Sequence, residues 1–410
     1  MSSLKVRIIL ITVCFCFLLF FSNDFGIIDI EKTAIITAIG IDKNENEYEI
    51  TAQIALPEAK NTAAKNEKSV ISYKGSTVSS AITGIGSVSG WYPKLSFCNL
   101  ILIGESFLDE NVINLVNYFT KTLNIQDSTL IAVTKGSAKE ILKTESPLDD
   151  LSSFAIQKIL LKKTGLNNDI LETDIKTFSI GYYGKSGYSY LPYIKSLPPE
   201  GESSKNQSQN NTSTNTGSSE ENTSPNSQNQ GQNKSQNVFD ATTTLLFNKG
   251  KMVETLKREE TFAVNLFTTP VHYSTLEVND CTYQGETFNV LLDILSVNKK
   301  ITLKFIDGKP KVKFNLDVFV KIDDQNSINT DLNGQGNSFV PEEIAKKAEE
   351  NLTTNLKNIV EKSKKGVDVF DLIKKLYRHN YKYYDKYKDS LLKVATYEYE
   401  INFHGQQKEI

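Results

Sequence analysis

Three stretches of the chain carry residue types and spacings that could do chemistry. The first is Asp42-Lys43-Asn44-Glu45-Asn46, which alternates oxygen ligands as the opening of a calcium loop does. Such a loop needs glycine at its sixth position and a bidentate glutamate at its twelfth. Those positions hold Glu47 and Gln53, so the expectation is a hairpin turn. The second, TKGSAKE (134–140), shares features with a phosphate loop but lacks its first glycine and its Lys-Ser/Thr pair. The third, KKLYRHNYKYYDKYKDS (374–390), packs six basic residues and five tyrosines against two acids. Its basic residues are Lys374, Lys375, Arg378, Lys382, Lys386 and Lys388. They suit phospholipid headgroups or an acidic partner surface, because lysines attract anions and tyrosines favour interfaces. The alternative is a helix and loop whose tyrosines pack on a sheet while the lysines face water.

The remaining candidates resolve to structure. Gly84, Gly86 and Gly90 do not make a dinucleotide fingerprint, since no strand immediately precedes them; small residues for close helix packing are the expectation. His272, His379 and His404 have no neighbouring acid or nucleophile pattern, and neither GxSxG nor HExxH occurs. Asp149-Asp150 and Asp323-Asp324 fall in expected turns. Cys14, Cys16, Cys98 and Cys281 are not at metal-ligand spacing and form no disulfide framework. A Cys98–Cys281 bridge and two buried thiols are the alternatives. No catalytic, cofactor-binding or metal-binding residue is assigned. A net charge of −3 argues against general nucleic-acid binding, which draws on a basic excess.

The elements that must position these residues follow from periodicity. TAIITAIGI and YEITAQIAL read as β-branched strands joined by DKNENE. GSTVSSAITGIGSVSG (75–90) reads as a small-residue helix. FCNLILIG and STLIAVT read as buried strands. Leu108, Val112, Leu115, Val116, Phe119 and Leu123 recur at helical spacing. A short helix begins at Ser137–Leu142, and Leu151–Lys163 is amphipathic with Gly165 as its C-cap. LPYIKSL and the LLFNKGKMVETL hairpin read as strands of one small middle sheet. After Pro270 the pattern alternates through YSTLEV, ETFNVLLDILS and KITLKFIDGKPKVKFNLDVFVKI, with a hairpin turn at Asp307-Gly308-Lys309-Pro310. Helices follow from Pro341 and over Val369–His379, and the strand VATYEYEINFHG ends the pattern.

Two segments stand apart. Lys5 and Arg7 precede Ile8–Phe21, an apolar run with Thr12 as its one polar residue. At about 1.5 Å per residue the run reaches about 21 Å, short of a hydrocarbon core of about 30 Å. That length suits an export signal, yet no small-x-small cleavage site follows, so a retained anchor stays open. Residues 203–236 hold no aromatic or aliphatic side chain; they read as a flexible insertion, unable to offset the entropy of ordering.

Laid end to end, several blocks resemble the C subunit of spore germinant receptors, the GerAC family. They are DIEKTAIITAIGIDKNENEYEITAQIALPEA, KGSTVSSAI, NLILIGESF, IAVTKGSAKEIL, LLFNKGKMVETL and the stretch from VNDCTYQGETF to KVKFNLDV. Gly366-Val367-Asp368-Val369-Phe370 resembles a segment of the family's terminal helices. The blocks are collinear over nearly the whole chain. The resemblance implies a three-domain, non-enzymatic protein on the outer face of the inner spore membrane. There it assembles with a membrane-embedded A subunit and a transporter-like B subunit. The family's C subunit is usually anchored by a lipidated cysteine; here Asp24 stands near that place, and a carboxylate cannot carry the thioether.

These readings predict an α+β fold in three domains of mixed and antiparallel sheets with packed helices. They are an anchor over 1–24, an α+β unit over 25–190, a small middle unit over 191–268 and a last unit over 269–410. The last is expected to be an antiparallel sheet with its C-terminal helices on one face. The function expected is that of a non-enzymatic receptor C subunit, with no cofactor. The alternative is a membrane-tethered extracellular protein that binds a small ligand between domains.

Overall fold

A computed structural model describes residues 3–22, 33–55, 69–121, 125–161, 168–198, 237–271, 274–326 and 340–405. Asp24, Gly165, His272 and the insertion at 203–236 lie outside the described residues. The fold is α+β, as expected, with its strands in two sheets.

Helix α1 (Ser3–Ser22) is apolar on every side from Ile8 onward, with Leu4 to Phe17 exposed. Beyond Lys5 and Arg7 in its first turns, the Thr12 hydroxyl donates to the Ile8 carbonyl at 2.9 Å, leaving the apolar surface that follows unbroken. Among the described residues no helix is long and apolar enough to cross a membrane.

The first sheet has nine strands: β1 (Thr33–Asn44), β2 (Glu47–Ala55), β3 (Val70–Gly75), β4 (Tyr92–Lys94), β5 (Leu100–Gly104), β6 (Leu130–Thr134), β7 (Tyr188–Leu197), β8 (Val238–Asn248) and β9 (Lys251–Leu256). Their order is β3-β2-β1-β5-β6-β7-β8-β9, with β4 pairing β1. Strands β1, β5, β6 and β7 run parallel at the centre, and antiparallel hairpins close both ends. Every residue of LILIG and LIAVT is buried, as a parallel strand covered on both faces requires. Helices α2 (Val78–Ser89), α3 (Val112–Lys121) and α6 (Ile175–Tyr183) cover one face, while α4 (Ala138–Lys143) and α5 (Ser152–Leu160) cover the other.

Local chemistry explains several of these elements. Thr77 and Ser80 form a reciprocal capping box at the start of α2, at 3.0 and 3.1 Å, and Gly90 ends the helix in the left-handed region at φ 71°. A Cβ at Gly84 would stand 2.1 Å from the Tyr73 ring, so glycine is what lets α2 lie flat on the sheet.

The second sheet is β10 (Ser274–Tyr283), β11 (Glu286–Ile306), β12 (Lys309–Gln325) and β13 (Thr396–Gly405), in that order. The β11–β12 hairpin turns at Asp307-Gly308, whose φ angles of 50° and 73° are what a tight two-residue turn demands. Helices α7 (Arg258–Thr268), α8 (Glu342–Ser363), α9 (Leu372–His379), α10 (Tyr384–Tyr387) and α11 (Leu391–Val394) complete the described elements. The core under this sheet joins α7, α8 and α9, centred on edge-to-face contacts among Phe267, Phe314 and Phe370 at 4.8–5.9 Å.

The structure differs from the sequence reading in two places. The strands assigned to a separate middle sheet, β7 to β9, extend the first sheet instead. Val133 and Thr134 pair with Tyr193 and Ile194, and Leu191, Leu245 and Phe247 fill the core beneath α6. The open edge of β6 thereby gains a partner and the apolar side chains a floor. Strand β13 pairs β12 in parallel, Lys311 facing Thr396 and Val320 facing Gly405. A parallel neighbour needs a crossover connection, and α8 to α11 supply it by carrying the chain back to the starting end of β12.

Candidate functional site

Two of the chemistry-bearing motifs satisfy each other. Asp42 is buried, and its carboxylate accepts from the Ala138 amide at 2.9 Å, the Lys139 amide at 3.0 Å and the Ser137 hydroxyl at 2.9 Å. The residue that looked like a calcium ligand therefore occupies the start of α4, where a phosphate loop would present its amides. Gly104 leaves room for it: a Cβ there would lie 2.0 Å from Asp42 Oδ1. Gln53 is likewise internal, donating to the Leu142 carbonyl at 2.9 Å and accepting from the Ser153 amide at 3.0 Å. It ties β2 to α4 and α5. Cys98 and Cys281 are free thiols buried in different cores, and burial pushes them up to about 12 and about 11. The disulfide alternative fails on that count. Among the described residues no cluster of His, Cys, Asp and Glu is arranged to hold a metal ion.

The basic, tyrosine-rich segment is the remaining candidate, and its placement starts at Asp368. That side chain is buried, accepting from the Leu372 amide at 2.7 Å and the Ile373 amide at 2.8 Å. It thus supplies the two donors at the head of α9 with an acceptor. Burial pushes its carboxyl up to about 7, against the opposing pull of the two amides. Helix α9 then buries Leu372, Ile373 and Leu376 and leaves Lys374, Tyr377 and Arg378 exposed, with Lys375 half-buried.

The tyrosines divide. Tyr383 stacks on Phe305 of β11 at 3.9 Å between ring centroids, and Tyr387 donates to the Gly308 carbonyl at 2.6 Å. They clamp the segment onto the β11–β12 hairpin, as the packing alternative anticipated. Tyr377, Tyr381 and Tyr384 form a second cluster with centroids 5.1–6.2 Å apart, and Tyr381 is 64% exposed. The lysines follow the rings. Lys382 lies over Tyr383 at 4.8 Å, Lys386 over Tyr387 at 5.0 Å and Lys388 over Tyr384 at 5.9 Å. Each ammonium thus sits near an aromatic face while its residue stays exposed to water. The six basic residues therefore split into an exposed Lys382–Lys386–Lys388 rim, a half-buried Lys375, and a Lys374–Arg378 pair that turns toward the first sheet.

That pair meets residues absent from the sequence reading. Lys185, in the loop after α6, stands 4.5 Å over the Tyr377 ring. Together with Lys374 and Arg378 it borders a cavity of about 430 Å³ between the α6–β7 side and α9. No local signal flags Lys185, which lies nearly two hundred residues from its neighbours in space. Polar contacts also tie α8 and the turn after it to α7 and to the β8–β9 end of the first sheet. Lys362 of α8 donates to Glu260 at 2.6 Å and to the Thr255 carbonyl at 2.8 Å; Asn248 donates to the Gly366 carbonyl at 2.8 Å. Lys365 pairs with Glu254.

Comparison with known proteins gives this geometry a context. Residues 26–196 match the model of the spore germination protein N-terminal domain, and residues 242–406 match that of the spore germination B3/GerAC-like C-terminal domain. The chain belongs to the GerAC-like family of spore germination proteins. Its fold is similar to the crystal structure of the GerBC protein, with 14% identity, a TM-score of 0.50, and coverage of 89% of this chain and 96% of that one. No curated protein matches the chain. On the GerAC-like chain the two matched regions share the first sheet: the N-terminal match runs through β7, and the C-terminal match begins within β8.

Proposed function

We propose that this GerAC-like protein is the non-enzymatic C subunit of a nutrient germinant receptor. In this reading it assembles with membrane-borne A and B subunits on the outer face of the inner spore membrane. The observation that carries the reading is the pair of family matches, which follow one another in order through both sheets. Deleting the gene is expected to abolish nutrient-triggered germination while leaving sporulation intact. Normal nutrient germination in the deletion strain, with no second copy of such a subunit present, refutes it.

The N-terminus supplies the attachment. Ile8–Phe21 is retained as a short apolar anchor, since Asp24 offers no thiol for lipid. Mass spectrometry of the membrane-extracted protein should find the N-terminal peptide intact; a new terminus near Ser22–Phe25 overturns this. The rim of Lys382, Lys386 and Lys388, with exposed Tyr381 beside it, is the surface offered to an acidic partner subunit. Reversing the three lysines to glutamate should lower co-purification of the A and B subunits with little change in folding, because the side chains are exposed.

A further inference from the structure

The cavity between α6, β7 and α9 has the composition of a ligand site. Its volume of about 430 Å³ lies within the range of small-molecule pockets, which form preferentially where two folded units meet. Leu171, Phe178 and Val264 give it an apolar lining, and Tyr188, Ser189 and Tyr190 border it from β7. Tyr188 is more than nine-tenths buried on the face of β7 that carries Tyr190, and its hydroxyl has no hydrogen-bond partner. A buried hydroxyl is ordinarily paired, so an unpartnered one on a residue that lines an open volume marks a place for a polar group that is not part of the chain. Three cations border the same volume, Lys185, Lys374 and Arg378, against one lining acid, Asp371. Asp371 is drawn to Lys374 at 3.4 Å. Arg378 has no ion pair or hydrogen bond among the described residues.

We propose that this cavity binds a small organic anion, a carboxylate on an apolar body about the size of one aromatic ring. The acid group meets Arg378 and Lys374, with Lys185 across the mouth. The body lies against Phe178 and Val264, and the Tyr188 hydroxyl serves any polar substituent. Arginine suits the carboxylate, since its planar fork donates two parallel hydrogen bonds. Because α6 and β7 form one wall and α9 the other, the bound anion bridges the two cores and stabilises their junction by mass action. This proposal stands apart from the receptor reading and is tested on the isolated protein.

The test is a calorimetric titration of the full-length protein in nanodiscs with 3-phenylpropionate and, separately, with its uncharged amide. The acid should bind saturably at one site, and the amide at least about tenfold more weakly. The Lys374→Gln/Arg378→Gln variant should weaken the acid by a similar factor and leave the amide unchanged. These side chains are exposed, and an unaltered circular dichroism spectrum checks that the variant folds. Three results overturn the proposal: equal binding of acid and amide, undiminished acid binding by the double variant, or no saturable binding at millimolar acid.

Discussion

Asp368 is the group whose titration the fold should feel most. Its carboxyl is 1% exposed, takes two backbone N–H donors, and is pushed up to about 7 by burial. An unfolded aspartate titrates near ~3.9. A group whose folded value is raised contributes stability that is fully present below the unfolded value. That contribution is lost as pH climbs through the folded one. The window here runs from about pH 4 to about pH 7, and the gap corresponds to at most about 4 kcal/mol. Asp368→Asn removes the titration but keeps the shape, turning one acceptor into a donor that faces an amide; that costs roughly 1–3 kcal/mol. The natural protein should therefore be the more stable of the two near pH 4.5, with its advantage shrinking steadily toward pH 7.5. Urea unfolding of both proteins across that range, followed by circular dichroism, reads the difference directly, and titrations elsewhere cancel. A difference that does not change with pH refutes the reasoning, and would mean that the two amides hold the carboxylate ionised throughout.

Other perturbations test the scaffold. Gly104→Ala places a methyl group on the Asp42 carboxylate and should unfold at lower denaturant by about 3 kcal/mol, since three donors lose a buried acceptor together. Lys362→Met leaves Glu260, 4% exposed, without its cation; a loss of about 3 kcal/mol is expected, partly restored by adding Glu260→Gln. Tyr387→Phe deletes one hydrogen bond to Gly308 and should cost about 1 kcal/mol in the same assay. Exposed Lys382→Gln should shift stability by less than about 0.5 kcal/mol.

The parts of the fold legible in the sequence are those whose causes are local. The β1–β2 hairpin and the Asp307-Gly308 turn announce themselves through alternation and residues suited to positive φ, whereas Gly90, expected to serve helix packing, instead caps α2. Helix α7 does not, because REETFAVNLFT is buried on nearly all sides and so has no polar face to give a period. Helix α6 is masked by β-branched residues and Gly181, which favour other conformations. Strand partners are harder still. Nothing in LPYIKSL says that it will pair with LIAVT in parallel, since the choice rests on which edge is open when it arrives. The same holds for the candidate sites. The basic segment stood out by composition, whereas the cavity exists only because Lys185, Tyr188 and Arg378 meet through two separate cores.

The parallel pairing of β12 with β13 also sets a timetable. Strands β10 to β12 can zip as consecutive hairpins as soon as they are made, but the outer edge of β12 then waits. At ~5–20 residues per second of synthesis, the stretch from Gln325 to Thr396 takes roughly 4–14 s to emerge. For that interval an edge rich in Val and Phe lies open to any other strand, including the same strand on a neighbouring nascent chain. The protein's safest moment to begin folding its second core is therefore late, and its yield in a cell should depend on how well that edge is guarded until β13 closes it.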